Sequence, residues 1–290
     1  MSIIAGVAVA PAQAGEVRRA PVDRYVALGD SAASGPFIPE QDPTSPGCYR
    51  SDHNYPRLLA ERLGAGLVDV TCTGAESRHI TETPQETPTG TVKPQIESVK
   101  QDTDLVTITV GANDVDLVKT VASCVNALPE PHGTSCAAEL APPGMPDKLR
   151  TAIDAAAPRW GAMLDQVRER APEARVVVVG YGTFLRRGGC HPYQPFWAKD
   201  ADYISRTVGY LNDRFRAEAE ERGVTYMDLR PMSEGHDACA QPEDRYYAGV
   251  IPSEPAAPLH PTGRGMAAFA EEIHGVLSET RSDPSTGKIG

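Results

Sequence analysis

The sequence predicts an α/β protein, a mainly parallel central sheet with helices on both faces. Three observations carry that expectation. The runs Tyr25–Leu28, Leu105–Val110 and Arg175–Val179 are short and almost continuously apolar or β-branched, as strands covered on both faces must be. Stretches with apolar residues at helical spacing alternate with them along the whole chain. No repeat and no linker-like stretch divides the sequence, so residues 15–290 are expected to form one domain.

The elements follow in order. The first strand, Tyr25–Leu28, stops at Gly29, and the Pro-rich segment from Pro36 to Arg50 reads as irregular. Tyr55–Leu63 places Leu58, Leu59, Ala60 and Leu63 at helical spacing and ends at Gly64. Leu67–Thr71 is the next strand, Lys93–Lys100 a short helix, and Leu105–Val110 a strong strand that ends at Gly111. From Cys124 to Pro146 the prolines, glycines and two cysteines predict a long stapled loop. A helix over Asp147–Ala171, interrupted at Pro158, leads to strand Arg175–Val179. After another loop come a helix over Ala201–Arg222 and strand Val224–Met227. Thr262 can cap a last helix through Leu277, with Ala267, Ala268, Ala270 and Ile273 on its apolar side; the polar tail beyond Ser278 reads as loose.

Charge narrows the partners. The chain has 290 residues and a formal net charge of -11, the wrong sign for holding nucleic acid phosphates or an anionic membrane. Near the start, a short apolar run precedes Ala12-Gln13-Ala14, the small-x-small pattern of a signal-peptidase site, so residues 1–14 read as the remnant of a secretory signal without its basic region. That run is too short to span a bilayer, and no later segment reaches the required length. A soluble, exported monomer is the expectation.

Six cysteines, an even count without C-x-x-C or zinc-finger spacing, suit an oxidising compartment. Spacing alone does not fix their connectivity. Cys124 with Cys136 is the pair favoured first; pairing in chain order adds Cys48 with Cys72 and Cys190 with Cys239, each stapling an irregular segment. Cys190, His191, His236 and Cys239 can also be read as zinc donors, but a disulfide explains the two cysteines equally well, so neither metal nor cofactor is expected.

In an open parallel sheet, ligands bind beyond the carboxyl ends of the strands. Four polar or special residues fall there or beside it: Ser31 after the first strand, Gly74 after the second, Asn113 after the third, and His260 before the last helix. A serine hydroxyl becomes a competent nucleophile when an imidazole takes its proton, and the same imidazole returns the proton to a leaving alcohol. The Ser31 and Gly74 N–H groups and the Asn113 amide suit an oxyanion hole. Each residue alone has a plainer reading, as cap, turn glycine, Asx-turn or helix flank. Their joint placement carries the argument. Ser31 sits in GDSAA, without the second glycine of G-x-S-x-G, which argues against the common lipase elbow.

The blocks GDSAASG (Gly29–Gly35), TCTGAES (Thr71–Ser77), VGANDVD (Val110–Asp116) and PLHPTGRGM (Pro258–Met266) resemble, in the right order, those of the SGNH hydrolases, the GDSL lipase/esterase family, in its secreted actinobacterial branch. The resemblance implies a flavodoxin-like α/β/α sandwich, no metal, and hydrolysis of carboxylic esters. It aligns Ser31 with the nucleophile and one oxyanion donor, Gly74 and Asn113 with the other donors, and His260 with the base. Ala32 replaces the usual leucine of the first block. The family's acid, three residues before the histidine, is here Ala257, which has no carboxylate. By resemblance to relatives that work as a dyad, the Ala257 backbone carbonyl would orient His260; Glu254, Asp244 or Asp237 reaching in from elsewhere is the alternative.

The substrate is expected to be a small-molecule or lipid ester. A carbohydrate O-acetyl esterase is the runner-up within the class, and a secreted non-catalytic binding module the rival outside it. Asp30, next to Ser31 in sequence, more plausibly braces the turn than completes a triad, because consecutive side chains point apart. Asp52 and His53 read as a solvated loop pair, and Trp160 and Trp197 as core and loop aromatics.

Overall fold

The computed structural model describes residues 21–278, so the signal remnant and the tail beyond 278 lie outside the described residues. Seven strands are described: β1 (Arg24–Gly29), β2 (Gly66–Asp69), β3 (Gln85–Thr87), β4 (Gly90–Val92), β5 (Leu105–Thr109), β6 (Arg175–Val179) and β7 (Thr225–Met227). The helices are α1 (Ser31–Ser34), α2 (Tyr55–Leu63), α3 (Ser77–Thr81), α4 (Leu117–Ser123), α5 (Cys136–Leu140), α6 (Lys148–Arg170), α7 (Ala198–Glu221), α8 (Arg230–Ser233) and α9 (Gly263–Ser278).

Five strands form one sheet in the order β2-β1-β5-β6-β7, and every neighbouring pair is parallel. That is the flavodoxin-like order, with its reversal of direction between β1 and β5. Alternation along the strands feeds two cores. Val26 and Leu28 of β1, Val106 and Ile108 of β5 and Val178 of β6 pack with Ile153, Trp160, Leu164, Leu211 and Phe215 of α6 and α7. Tyr25, Ala27, Val177 and Val179 pack on the opposite face with Leu59 of α2 and Phe269 and Ile273 of α9. Hydroxyls buried on the second face pair across it: Tyr25 with Thr107 at 2.6 Å, and Tyr55 with Thr109 at 2.8 Å.

Most expected elements are present, and the departures have local causes. Pro158 does not interrupt α6, which runs through it; its side of the helix is exposed, so water can meet the carbonyl left without a donor. Lys93–Lys100 shrinks to a 3-10 turn at Gln95–Ser98 after Pro94. The hairpin β3–β4 arises between the expected strand Leu67–Thr71 and Lys93, where the sequence predicts no element, and the Cys124–Pro146 loop contains α5, capped by the Ser135 side chain. Thr262 Oγ1 accepts the Gly265 N–H at 3.1 Å at the start of α9.

The three cysteine pairs favoured from the sequence are present: Cys48–Cys72, Cys124–Cys136 and Cys190–Cys239. The last removes both sulfurs from the zinc reading, and no cluster of potential metal ligands exists among the described residues. Among those residues no helix is long and apolar enough to cross a membrane. Trp160 lies in the core stacked on Phe215, and Trp197 anchors a loop by donating to the Leu128 carbonyl at 2.8 Å.

Candidate active site

The site is built around the reversal between β1 and β5. β1 ends at Gly29, where the chain passes so close to β5 that a Cβ would stand 2.6 Å from the Thr109 carbonyl oxygen. Glycine is required there by space and by its φ of 156°. Asp30 then caps the one-turn helix α1, its Oδ1 accepting the Ala32 N–H at 2.8 Å. Its Oδ2 accepts the Tyr181 hydroxyl at 2.5 Å. Asp30 braces the turn from within the protein. Burial pushes its carboxyl up to about 7, against the stabilising hydrogen bonds from Tyr181 and Ala32. Ser31, the first residue of α1, carries its hydroxyl toward the cleft, and its own N–H donates to no group among the described residues.

His260 reaches Ser31 from the far end of the chain. Its Nε2 lies 2.7 Å from Ser31 Oγ, and its Nδ1 lies 2.8 Å from a backbone carbonyl. A carbonyl only accepts, so Nδ1 carries the hydrogen and Nε2 offers its lone pair to the serine hydroxyl. The carbonyl belongs to Pro258, not to Ala257. Ala257's oxygen is taken by the His260 N–H at 3.1 Å. Leu259 makes the difference: at a φ of 59° it turns the chain left-handed between Pro258 and the histidine, leaving one carbonyl to close the turn and the other to face the ring. Ala248 N–H donates to the His260 carbonyl at 2.9 Å and Leu259 N–H to that of Gly249 at 3.3 Å, fixing the loop.

None of the alternative acids meets the imidazole. Asp237 is buried in a two-pronged contact with Arg186, Asp244 offers its backbone carbonyl to His236, and Glu254 accepts from Ser253. Burial holds the His260 pKa below the ordinary histidine value, with the Pro258 carbonyl opposing in smaller measure.

The other two predicted residues lie on the loops that follow β2 and β5. Cys72 N–H donates to the Gly29 carbonyl at 2.9 Å, and Thr73 and Ser34 hydroxyls meet at 2.9 Å, which brings the Gly74 turn against α1. Gly74 has a φ of 82°, and its N–H donates to no group among the described residues. Asn113 Nδ2 donates one hydrogen to the Ala75 carbonyl at 2.9 Å, leaving its second amide hydrogen. Asp114 ties the same loops from below, accepting the Ser77 hydroxyl at 2.5 Å and the Trp160 indole at 3.3 Å. Asp52 and His53 pair with each other at 2.6 Å on the surface and do not line the cleft at Ser31.

Sequence reasoning missed the wall of that cleft. Leu117, Val118 and Val121 of α4, with Phe184, Val208 of α7 and Leu259, line an apolar cleft with Ser31 and His260 in its wall. The i, i+1, i+4 spacing in LVKTV was a signal for α4, overlooked because the helix has only two turns.

A serine and a neutral histidine in contact at the switch point of a flavodoxin-like sheet form the arrangement of a serine hydrolase. The chain belongs to the GDSL-like Lipase/Acylhydrolase family, whose model matches residues 27–268, and it is an ester hydrolase. It is 34% identical over 283 residues to Lipase 2 of Streptomyces coelicolor, covering 94% of this chain and 92% of that protein. It is 31% identical over 248 residues to a lipase of Streptomyces rimosus, covering 84% and 82%. The crystal structure of the extracellular lipase from Streptomyces rimosus superposes with a TM-score of 0.72 at 26% identity, covering 89% of this chain and 100% of that one.

Proposed function

We propose that the protein is a secreted lipase or esterase that cleaves aliphatic carboxylic esters through an acyl-enzyme on Ser31. His260 Nε2 takes the Ser31 proton as Oγ attacks the ester carbonyl. The Ser31 and Gly74 N–H groups and the free Asn113 amide hydrogen stabilise the oxyanion. When the tetrahedral intermediate collapses, His260 gives the proton to the departing alcohol. Water, deprotonated by the same nitrogen, then attacks the acyl-enzyme, and Ser31 leaves with its proton restored as the carboxylic acid departs. The Pro258 carbonyl holds the ring in the working tautomer, the task a carboxylate performs in a triad. The observation that carries this reading is the 2.7 Å contact between Ser31 Oγ and His260 Nε2.

The apolar cleft favours acyl chains of several carbons over acetyl groups on sugars. Three disulfides, and relatives that include an extracellular lipase, support export. The test is hydrolysis of aryl esters from acetate to long acyl chains. Turnover should rise beyond acetate, and Ser31→Ala or His260→Ala should lower it by about 1,000-fold or more with folding intact. A profile that peaks at acetate would favour the O-acetyl esterase instead, and undiminished turnover in either variant would remove the assignment.

A further inference from the structure

Tyr181 stands just beyond β6, and its single hydroxyl oxygen joins the loops that follow three adjacent strands. It donates to Asp30 Oδ2 beyond β1 at 2.5 Å and accepts the Ala112 N–H beyond β5 at 3.0 Å. Asp30 is the cap of the Ser31 turn, and Ala112 immediately precedes Asn113. The tyrosine is itself clamped. Buried Asn212 of α7 accepts the Tyr181 N–H at 3.0 Å and donates to its carbonyl at 2.7 Å. Asp30 is 1% exposed, so deleting the tyrosine hydroxyl leaves a buried carboxyl without one of its two described donors. No described contact gives Tyr181 a proton to exchange with the ester; its geometry is that of a brace.

We infer that Tyr181 is a positioning residue for ester hydrolysis, whose hydroxyl sets the register between the Ser31 turn and the Asn113 loop through Asp30 and the Ala112 N–H. The inference rests on the proposed roles of Ser31 and Asn113. Nucleophile and oxyanion donor must address one carbonyl group from two different loops. A relative shift of about 1 Å between them is enough to lose on the order of 100-fold in rate, even with substrate binding unchanged. Among the described residues the Asp30 N–H also donates to the Thr109 carbonyl of β5 at 2.8 Å, upstream of the turn at Gly111, and the Gly74 turn links both loops indirectly through Cys72 and Ala75. Downstream of that turn, the tyrosine hydroxyl joins the serine's cap directly to the Ala112 N–H.

The test is a double-mutant cycle in the full chain on a soluble aryl ester, with kcat expressed per fluorophosphonate-titrated site. Tyr181→Phe deletes one oxygen and keeps the ring; it should lower kcat about 10- to 100-fold with KM within about twofold. Asp30→Ala should do likewise. The double variant should lose little more than the worse single, because both remove the same link. Asp30→Asn, which can still accept from Ala32 and donate to the Tyr181 oxygen, should recover most of the activity that Asp30→Ala loses. If Tyr181→Phe folds poorly, Asp30→Ser decides: its hydroxyl can still accept the Ala32 N–H, but it has no second oxygen for the tyrosine, so kcat should fall about 10-fold or more, and a value near wild type would overturn the inference. Near wild-type kcat in Tyr181→Phe, or losses that multiply in the double variant, would overturn the inference while Ser31→Ala stays inactive. Activity persisting in Ser31→Ala would instead bring down the serine assignment, and the brace's role with it.

Discussion

Ser31 stands at the end of a buried strand, on a turn fixed by a glycine, an acidic cap and a tyrosine; His260 stands in an irregular loop, its Nδ1 oriented by a backbone carbonyl and its own main chain tied by backbone hydrogen bonds. The first region is specified by side chains whose identities show in the sequence. The second is specified by where carbonyls point, and that depends on one left-handed residue, Leu259. A leucine in that conformation costs roughly 1–2 kcal/mol, which the surrounding hydrogen bonds offset. Orientation of an imidazole can therefore be achieved without any residue type that announces it.

The largest expected effect beyond loss of the pair itself lies on the strand side. Asn113→Ala should leave the Ser31–His260 contact intact and lower kcat about 100- to 1,000-fold, with KM little changed. Steady-state kinetics on an aryl ester checks this, and a loss under about fivefold would move the oxyanion donor elsewhere. Gly29→Ala comes next. Its Cβ would collide with the Thr109 carbonyl, so the turn must shift; a stability loss of about 2 kcal/mol or more is expected by denaturant melting, together with reduced turnover. An equivalent loss should not follow from Ala257→Gly, which keeps the backbone carbonyl that closes the histidine's turn.

The smallest effect is a displacement in pH. His260 must be neutral to accept the Ser31 proton, and burial lowers its pKa with no carboxylate to raise it. The ring should therefore titrate below about 6.5 when followed by NMR against His260→Ala, and activity should be retained as pH falls to that point and lost below it. A ring that titrates above 7 would mean that a carboxylate reaches it after all. Such a value would erase the contrast between the two regions.

The same contrast explains what was legible beforehand. β1, β5 and β6 are visible because strands buried on both faces must be apolar throughout, and they place Ser31 and Asn113 at their ends. The parallel sheet with helices on both faces follows from their alternation with α2, α6, α7 and α9. Asp30's bracing role was readable from adjacency, but its partner Tyr181 lies 151 residues away and only the folded sheet brings them together. The Pro258 carbonyl was not readable. Ala257 and Pro258 both have one, and only the backbone turn at Leu259 decides which faces the ring. The apolar cleft was equally hidden, because α4 is short and its partners Phe184 and Val208 come from another part of the chain.

Covalent labelling tests the central claim most directly. Wild-type protein treated with a fluorophosphonate should gain one adduct by intact-mass analysis, mapped to Ser31 by peptide sequencing. Ser31→Ala should gain none, and His260→Ala should label about 1,000-fold more slowly, because Nε2 no longer accepts the hydroxyl proton. An adduct on another residue, or labelling at the wild-type rate without His260, would contradict the account.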